Sequence, residues 1–279
     1  IYQCDWSSDV CSSDLLDIAS GWINAWGGVS TSGTGVINGS MTMGAGAGTL
    51  SGELNGTGTL GLSGGTLTVA PSGFKVPGYA QYGGTLNGDG DLTAKAGFYW
   101  SSGTMTGSGK TVVGAGVTNG IIHTVDYGVA EPVLARTLVN NGVISHQTGY
   151  FASNLTLTSA GVLDNRGTYL FTDNTGINGG GAIINSGVFG KSGGGGATNI
   201  YAALTNTDGG SIDISSGWIN TLAGFSATGI GNLNGTLVMG GGSGTVSGEL
   251  NGTGTLMLNA GVLTTDPSGF KVDRKSTRL

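Results

Sequence analysis

The sequence is poor in charge, in aromatic residues and in proline, and these shortages limit what the protein can be. Of its 279 residues, 9% are charged, 7% are aromatic and four are proline, and the formal net charge is −6. Charged residues usually make up about a quarter of a globular protein, so an ordinary helical enzyme does not fit. A basic nucleic-acid-binding domain is excluded by the sign of the charge. Disorder is disfavoured because the chain is 38% hydrophobic.

Cysteine is nearly absent, and both cysteines lie in a segment that looks foreign. Residues 1–15 include CDWSSDVCSSDL, and residues 273–279 read DRKSTRL. The two strings resemble one translated sequencing adapter read from opposite strands. We therefore interpret both ends as artefacts and place the protein in 16–272, as an internal fragment of a longer chain. Cys4 and Cys11 then give no evidence for a disulfide or a metal site.

Glycine is abundant, and the sequence repeats itself over a long distance. There are 59 glycines, about three times the usual share. Residues 16–76 align with residues 212–272 at a constant offset of 196, with 38 identities in 61 positions and no gap. The strings SGWIN, SGELNGTGTL and PSGFKV all return. We expect a tandem duplication in which 16–211 is one module and 212–272 begins a second copy.

A shorter repeat lies inside the module. An aliphatic residue, then Asn and Gly, then β-branched or aromatic residues recur every 20 to 25 residues, and nine to ten such units would fill 196 residues. The asparagines of this repeat are Asn119, Asn140, Asn165, Asn185 and Asn206.

These units predict an all-β fold. Each contains short alternating apolar runs, such as Leu155 with Leu157, between turns of Gly, Asn, Ser and Asp, and no window has a helical apolar period. We expect a single-stranded parallel β-helix (a β-solenoid) of about 12 coils, roughly 55 to 60 Å long. Glycine would take positive φ at the corners, and stacked asparagines would form a hydrogen-bonded ladder.

The runs NGTGTL and SGGTLT and the repeated LxNxG pattern resemble the β-helical passenger regions of filamentous-haemagglutinin-like and autotransporter-like bacterial adhesins. The resemblance extends over 16–272 and is one of overall repeat pattern. It implies a structural or adhesive segment of a large secreted protein at the bacterial cell surface, associated with the outer membrane. A glycan or a host or neighbouring cell surface would be its ligand. We expect no catalysis, no nucleic-acid partner and no membrane insertion of this segment, and the oligomeric state stays open.

Two motifs point to chemistry, but neither is complete. GSGKT at Gly107–Thr111 resembles a phosphate-binding loop, but the glycine that the motif requires is replaced by Thr104. Asn206, Thr207 and Asp208 spell NTD, a string found in β-helical pectin hydrolases. The Asp pair, the Gly-His-Gly and the Arg-Ile-Lys of that family are absent. A pectin-lyase-like protein that binds or degrades polysaccharide is the alternative function.

The acidic, basic and histidine residues give no complete site. The nearest approximation to a catalytic groove is Asp164, Arg166 and Asp173 with Arg136. Two acidic pairs could hold calcium, but neither fits the spacing of a calcium-binding coil, and we expect them to be solvated residues at coil corners. Two isolated histidines are expected at the surface or at corners rather than as metal ligands. We therefore assign no catalytic, cofactor-binding or metal-binding residue. The acidic pairs are Asp89 with Asp91 and Asp208 with Asp213, and the histidines are His123 and His146.

The repeated aromatic residues are expected to pack inside a widened coil. Trp22 and Trp218 recur in SGWIN, and Phe74 and Phe270 recur in PSGFKV. Exposed aromatic residues could instead stack on a sugar ring, and this is the single hint of a binding site in the sequence. The candidates for that role are Tyr79, Tyr82 and Trp100.

Overall fold

The computed structural model describes residues 17–124, 131–148 and 154–272. The two segments interpreted as adapter-derived, with both cysteines, lie outside the described residues. Within the described residues the protein is all-β, without helix, and forms a β-solenoid of about 12 turns, as the sequence predicts. In the described part of the chain, all strand pairs are parallel and belong to one continuous sheet of 29 strands.

The strands of the first half are β1 (Asp17–Ile18), β2 (Trp22–Ala25), β3 (Thr34–Ile37), β4 (Ser40–Met43), β5 (Ala47–Asn55), β6 (Thr59–Leu62), β7 (Thr66–Gly88), β8 (Leu92–Met105), β9 (Lys110–Val113), β10 (Gly120–Thr124), β11 (Val133–Leu134), β12 (Thr137–Asn140), β13 (Val143–Thr148) and β14 (Asn154–Leu157). Those of the second half are β15 (Val162–Asn165), β16 (Thr168–Phe171), β17 (Gly176–Asn178), β18 (Ala182–Asn185), β19 (Val188–Lys191), β20 (Ala197–Ile200), β21 (Ala203–Asn206), β22 (Ser211–Ile214), β23 (Trp218–Thr221), β24 (Phe225–Ala227), β25 (Ile230–Asn234), β26 (Thr236–Met239), β27 (Ser243–Asn251), β28 (Thr255–Leu258) and β29 (Val262–Val272).

The pairings arrange these strands in three stacks, so each coil has three sides. Stack A runs through β1, β3, β5, β7, β8, β9, β12, β15, β18, β21, β24, β27 and β29. Stack B runs through β2, β4, β6, β7, β8, β10, β13, β16, β19, β22, β25, β27 and β29. Stack C contains parts of β5, β7 and β8 and then β11, β14, β17, β20, β23, β26 and β28. The longer strands bend around corners and contribute to more than one stack.

The core is a column of apolar side chains along the axis of the solenoid. Strands alternate between inward and outward positions, and most inward positions hold aliphatic or aromatic residues. One column in stack A is formed by residues that pair directly from coil to coil and are at most 1% exposed. Its members are Leu138, Leu163, Ile183, Leu204 and Phe225. This continuous core makes neighbouring coils interdependent.

The second copy of the long repeat enters the solenoid displaced by one stack. Residues 212–214 of β22 correspond in sequence to residues 16–18, and the first strand of that segment, β1, lies in stack A. Strand β21 lies in stack A nine coils after β1. The next strand along the chain is β22, which lies in stack B. One module therefore spans nine coils and one further side. Equivalent residues of successive copies face different sides of the rod.

Glycines occupy corners where one coil touches the next. Gly179 has φ +90°, and a Cβ built there would lie 1.9 Å from the carbonyl oxygen of Leu157 in the preceding coil. Its neighbour Gly180 has nothing within 4 Å of such a Cβ. The same corner thus contains one glycine that the packing requires and one that it does not.

We expect Gly179→Ala to lower the free energy of unfolding by about 2 kcal/mol, because it combines a strained φ with a clash against backbone. Gly180→Ala is the matched control and should change stability by less than about 0.5 kcal/mol. Urea unfolding followed by circular dichroism measures both. Equal stability of the two variants would show that this corner is looser than the structure describes.

Candidate functional site

The asparagines of the short repeat form the predicted ladder inside the solenoid. Asn140 donates from Nδ2 to Oδ1 of Asn165 at 2.8 Å. Asn165 donates to Asn185, and Asn185 to Asn206, each at 2.7 Å. All four side chains are at most 1% exposed. The short repeat predicts that Asn119 belongs to this series, and that prediction is wrong. Asn119 is exposed, and Val113 pairs with Asn140 instead.

The NTD string belongs to this ladder. Asn206 is its last asparagine, and its Nδ2 also donates to the carbonyl of Gly210 at 3.0 Å. Thr207 donates its hydroxyl to the carbonyl of Asn185 at 3.0 Å. Asp208 accepts a hydrogen bond at Oδ1 from the amide of Ile230 at 2.8 Å. All three side chains hold neighbouring coils together.

Arg136 lies inside the solenoid, a position that no pattern in the sequence predicts. Its side chain is 2% exposed and donates to three main-chain carbonyls of earlier coils. These are Gly109 from Nε at 2.7 Å, Thr106 from Nη1 at 3.2 Å and Gly90 from Nη2 at 2.9 Å. Burial lowers the pKa of Arg136, and the charge of Asp91 acts in the opposite direction. A guanidinium held in this way joins three corners.

The other members of the candidate catalytic groove are used separately. Arg166 pairs with Asp164 on the outside of stack A, with Nη2 2.6 Å from Oδ2, and the Arg166 side chain is 55% exposed. Asp173 accepts hydrogen bonds from the amides of Thr148 and Thr175 at 2.7 and 2.9 Å. The structure therefore brings together Asp164 and Arg166, and places buried Arg136 and loop-bound Asp173 in other contacts.

Of the two acidic pairs that could hold calcium, Asp89, Asp91 and Asp208 lie at coil corners, whereas Asp213 lies within β22 at an outward position. Asp89 accepts from the hydroxyl of Ser108 at 2.6 Å, and Asp91 accepts from the amide of Lys110 at 2.7 Å. Asp213 accepts from the hydroxyl of Ser211 at 2.8 Å. Among the described residues no three His, Cys, Asp or Glu side chains converge as metal ligands would. GSGKT occupies a similar corner, where Gly107 has φ +95° just before β9.

His146 is wrongly predicted as a surface or corner residue. The ring is fully buried, with Nδ1 2.8 Å from the hydroxyl of Tyr169 and Nε2 3.3 Å from that of Thr175. Phe171 packs on it with ring centroids 5.1 Å apart. Burial lowers the pKa of His146 to about 3. His123 is half-buried, and its Nδ1 lies 3.3 Å from the Tyr99 hydroxyl.

Lys191 is an interior charge that the sequence analysis missed. It is fully buried, and Nζ donates to the carbonyl of Asp173 and to Oδ1 of Asn174, the latter at 3.1 Å. Burial lowers the pKa of Lys191, and Asp173 opposes this. The alternation of side chains along β19 could have predicted this burial, since Phe189 points inward and Lys191 lies two residues later on the same face.

Some aromatic residues expected inside the solenoid are exposed, and some expected at the surface are buried. Phe74 is buried as predicted, at 1% exposure, but Trp22 and Trp218 are 80% and 40% exposed. Tyr79 and Trp100, considered as surface residues that could stack on a sugar, are at most 1% exposed. Phe270 packs against the core while partly exposed. Tyr82 is 49% exposed, and its ring centroid lies 5.2 Å from that of Tyr99.

The two tryptophans point outward because each begins a strand directly after a corner glycine. Gly21 and Gly217 both have positive φ, +83° and +62°, and turn the chain into β2 and β23. In β23, Trp218 and Asn220 face outward while Ile219 and Thr221 are fully buried. Their repetition in both copies predicts that these tryptophans pack inside the coil, and that prediction is wrong, because the two-residue period of the strand places them outside.

A groove of about 400 Å³ lies beside Trp218 on stack C. Beyond Trp218, it is lined by Gly217, Thr236, Val238, Met257 and Asn259. None of these residues is charged. Asn220, next to the tryptophan on the same face, donates from Nδ2 to Oδ1 of Asn199 at 3.1 Å. A second groove, of about 370 Å³, surrounds Asp213 and Asn234 on stack B.

The described residues form no helix that is long and apolar enough to cross a membrane. Comparison of the chain with protein-family models, with curated proteins and with solved structures found no match in any of the three. The fold is therefore established by the strand pairing of the chain itself. Its features that bear on function are the grooves, the exposed tryptophans and the continuous rod.

Proposed function

We propose that this chain is a rigid structural and adhesive segment of a large secreted bacterial cell-surface protein, and that it lies outside the cell and has no catalytic activity. The observation that carries the proposal is the joint between the two copies of the repeat. Stack B continues from β19 to β22 and on to β25, so the second copy begins with full strand pairing. Modules joined in this way add length to a single rod.

The use of polar residues agrees with a structural role. Arg136, Asp91, Asp208 and the asparagine ladder each connect neighbouring coils through hydrogen bonds. The low charge of the chain also favours a stable stack of coils, because like charges stacked about 5 Å apart would repel each other. The resemblance of the repeat pattern to bacterial adhesins supplies the cell-surface location in this proposal.

A chain with one extra module tests it. We expect residues 16–211 inserted once more before 212–272 to lengthen the particle by roughly 45 Å, at about 4.8 Å per coil. Small-angle X-ray scattering should show this increase in the longest dimension at an unchanged cross-section, with the 16–272 chain as the control. Beads that carry either chain should also be retained on a layer of epithelial cells under flow. Separate bodies joined by a flexible link, or no retention of the beads, would contradict the proposal.

A further inference from the structure

The motif SGWIN presents the same pair of outward side chains in both copies. Trp22 with Asn24 in β2 and Trp218 with Asn220 in β23 stand two residues apart, so each pair shares one face of its strand. β23 is paired on both sides, with β20 and β26. The exposure of Trp218 is thus a property of an internal coil and not of the end of the rod.

The surroundings of Trp218 combine one large aromatic face with small polar groups. Thr236 and Asn259 supply a hydroxyl and an amide to the groove, and Gly217 leaves backbone accessible there. In the first copy the corresponding positions, at the offset of 196, are Ser40, Ser63 and Gly21. Both copies therefore keep an uncharged surface with hydroxyl groups next to the tryptophan.

We propose that the Trp of SGWIN, together with Thr236 and Asn259 beside Trp218, forms a binding site for a neutral glycan, one site in each module. The face of an aromatic ring carries negative charge density and attracts the C–H groups on the face of a sugar ring. Amides and hydroxyls at its edge suit sugar hydroxyls. A groove of about 400 Å³ lies in the size range of small-ligand sites. The absence of charged lining residues favours a neutral over an acidic polysaccharide. This inference rests on the proposed function, because it names the ligand of an adhesive segment.

The displacement of the repeat determines how such sites are arranged. β2 lies in stack B, and nine coils later the same stack holds β22, while β23 is the next strand and lies in stack C. The two tryptophans are thus roughly 45 Å apart along the rod, at about 4.8 Å per coil, and on different sides. Sites so placed engage a glycan layer that surrounds the rod, and several weak contacts add avidity.

Affinity electrophoresis of the 16–272 chain in gels that contain hydroxyethyl cellulose or galactomannan tests the site, with polygalacturonate as the acidic comparison. We expect retardation by at least one neutral polymer. The double variant Trp22→Ala/Trp218→Ala should weaken it about ten-fold or more, and each single variant should weaken it less. Tyr201→Ala is the matched control, since Tyr201 is 49% exposed and does not line the Trp218 groove. It should bind as the unchanged chain does.

Three results would overturn the inference: no retardation by either neutral polymer, retardation by polygalacturonate alone, or binding that survives loss of both tryptophans. A fourth result, loss of binding in Tyr82→Ala alone, would transfer the site to the Tyr82–Tyr99 pair and would also contradict the inference. Circular dichroism of each variant establishes that the solenoid is retained. The proposed function is tested separately, by the length measurement and by the retention of beads on cells. A rod that lengthens and is retained on cells without binding these polymers would refute only the glycan site.

Discussion

Replacing Asn165 by leucine should lower the free energy of unfolding by about 3 kcal/mol, although leucine has a similar size and is more apolar. Asn165 Oδ1 accepts from Asn140, and its Nδ2 donates to Oδ1 of Asn185 and to the carbonyl of Val188 at 2.8 Å. The variant leaves these buried groups short of partners in a low-dielectric interior. Because the ladder runs through four coils, the loss affects contacts above and below the substituted residue.

Asn119→Leu is the matched control for this prediction. Asn119 has the same sequence signature but is exposed and outside the ladder, so its replacement should change stability by less than about 0.5 kcal/mol. Guanidinium unfolding followed by circular dichroism measures both variants against the unchanged chain. A similar loss in both, or a stabilised Asn165→Leu, would mean that the ladder contributes little beyond filling space.

The ladder also shows what the sequence can and cannot predict. Repetition of Asn at 20 to 25 residues predicted both the coil length and stacked amides, because a regular solenoid places equivalent residues above one another. Asn119 fails because the chain inserts residues after Val113: Lys110 pairs with Thr137, 27 residues away, whereas Ser40 pairs with Thr59, 19 away. The longer coil places Val113, and not Asn119, next to Asn140 in the stack. The residues around Asn119 do not by themselves determine this pairing.

The exposed residues of the candidate site depend on which residues of each strand point outward, and the sequence shows this alternation. In a strand, alternate residues point to opposite faces, so Trp218 and Asn220 of SGWIN share one face and Ile219 lies on the other. Because Asn favours the outside and Ile the inside, this pattern predicts an exposed tryptophan. The interior positions of His146 and Lys191 follow from the same alternation. Arg136 differs, since it lies in a turn between β11 and β12 where no period applies. Its burial depends on carbonyls of Gly90, Thr106 and Gly109, which belong to earlier coils.

His146 should make the solenoid sensitive to acid. Its folded pKa is about 3, below the value near 6.5 expected in an unfolded chain. The unfolded state therefore binds the proton more readily between these two values, and stability falls as the pH drops from about 6.5 towards 3. The slope is about 1.4 kcal/mol per pH unit, so a shift from pH 7 to pH 4.5 should cost between about 2 and 3 kcal/mol through this residue alone.

His146→Gln isolates that contribution, because glutamine keeps a donor and an acceptor near Tyr169 and Thr175 but does not titrate in this range. Acidic groups and His123 are common to both chains, so their effects cancel in the difference. Urea unfolding at pH 7, 5.5 and 4.5 should show the two stability curves converging as the pH falls, with the flatter curve for the variant. Parallel curves would mean that His146 accepts a proton without opening the core, in contradiction to its burial against Tyr169 and Phe171.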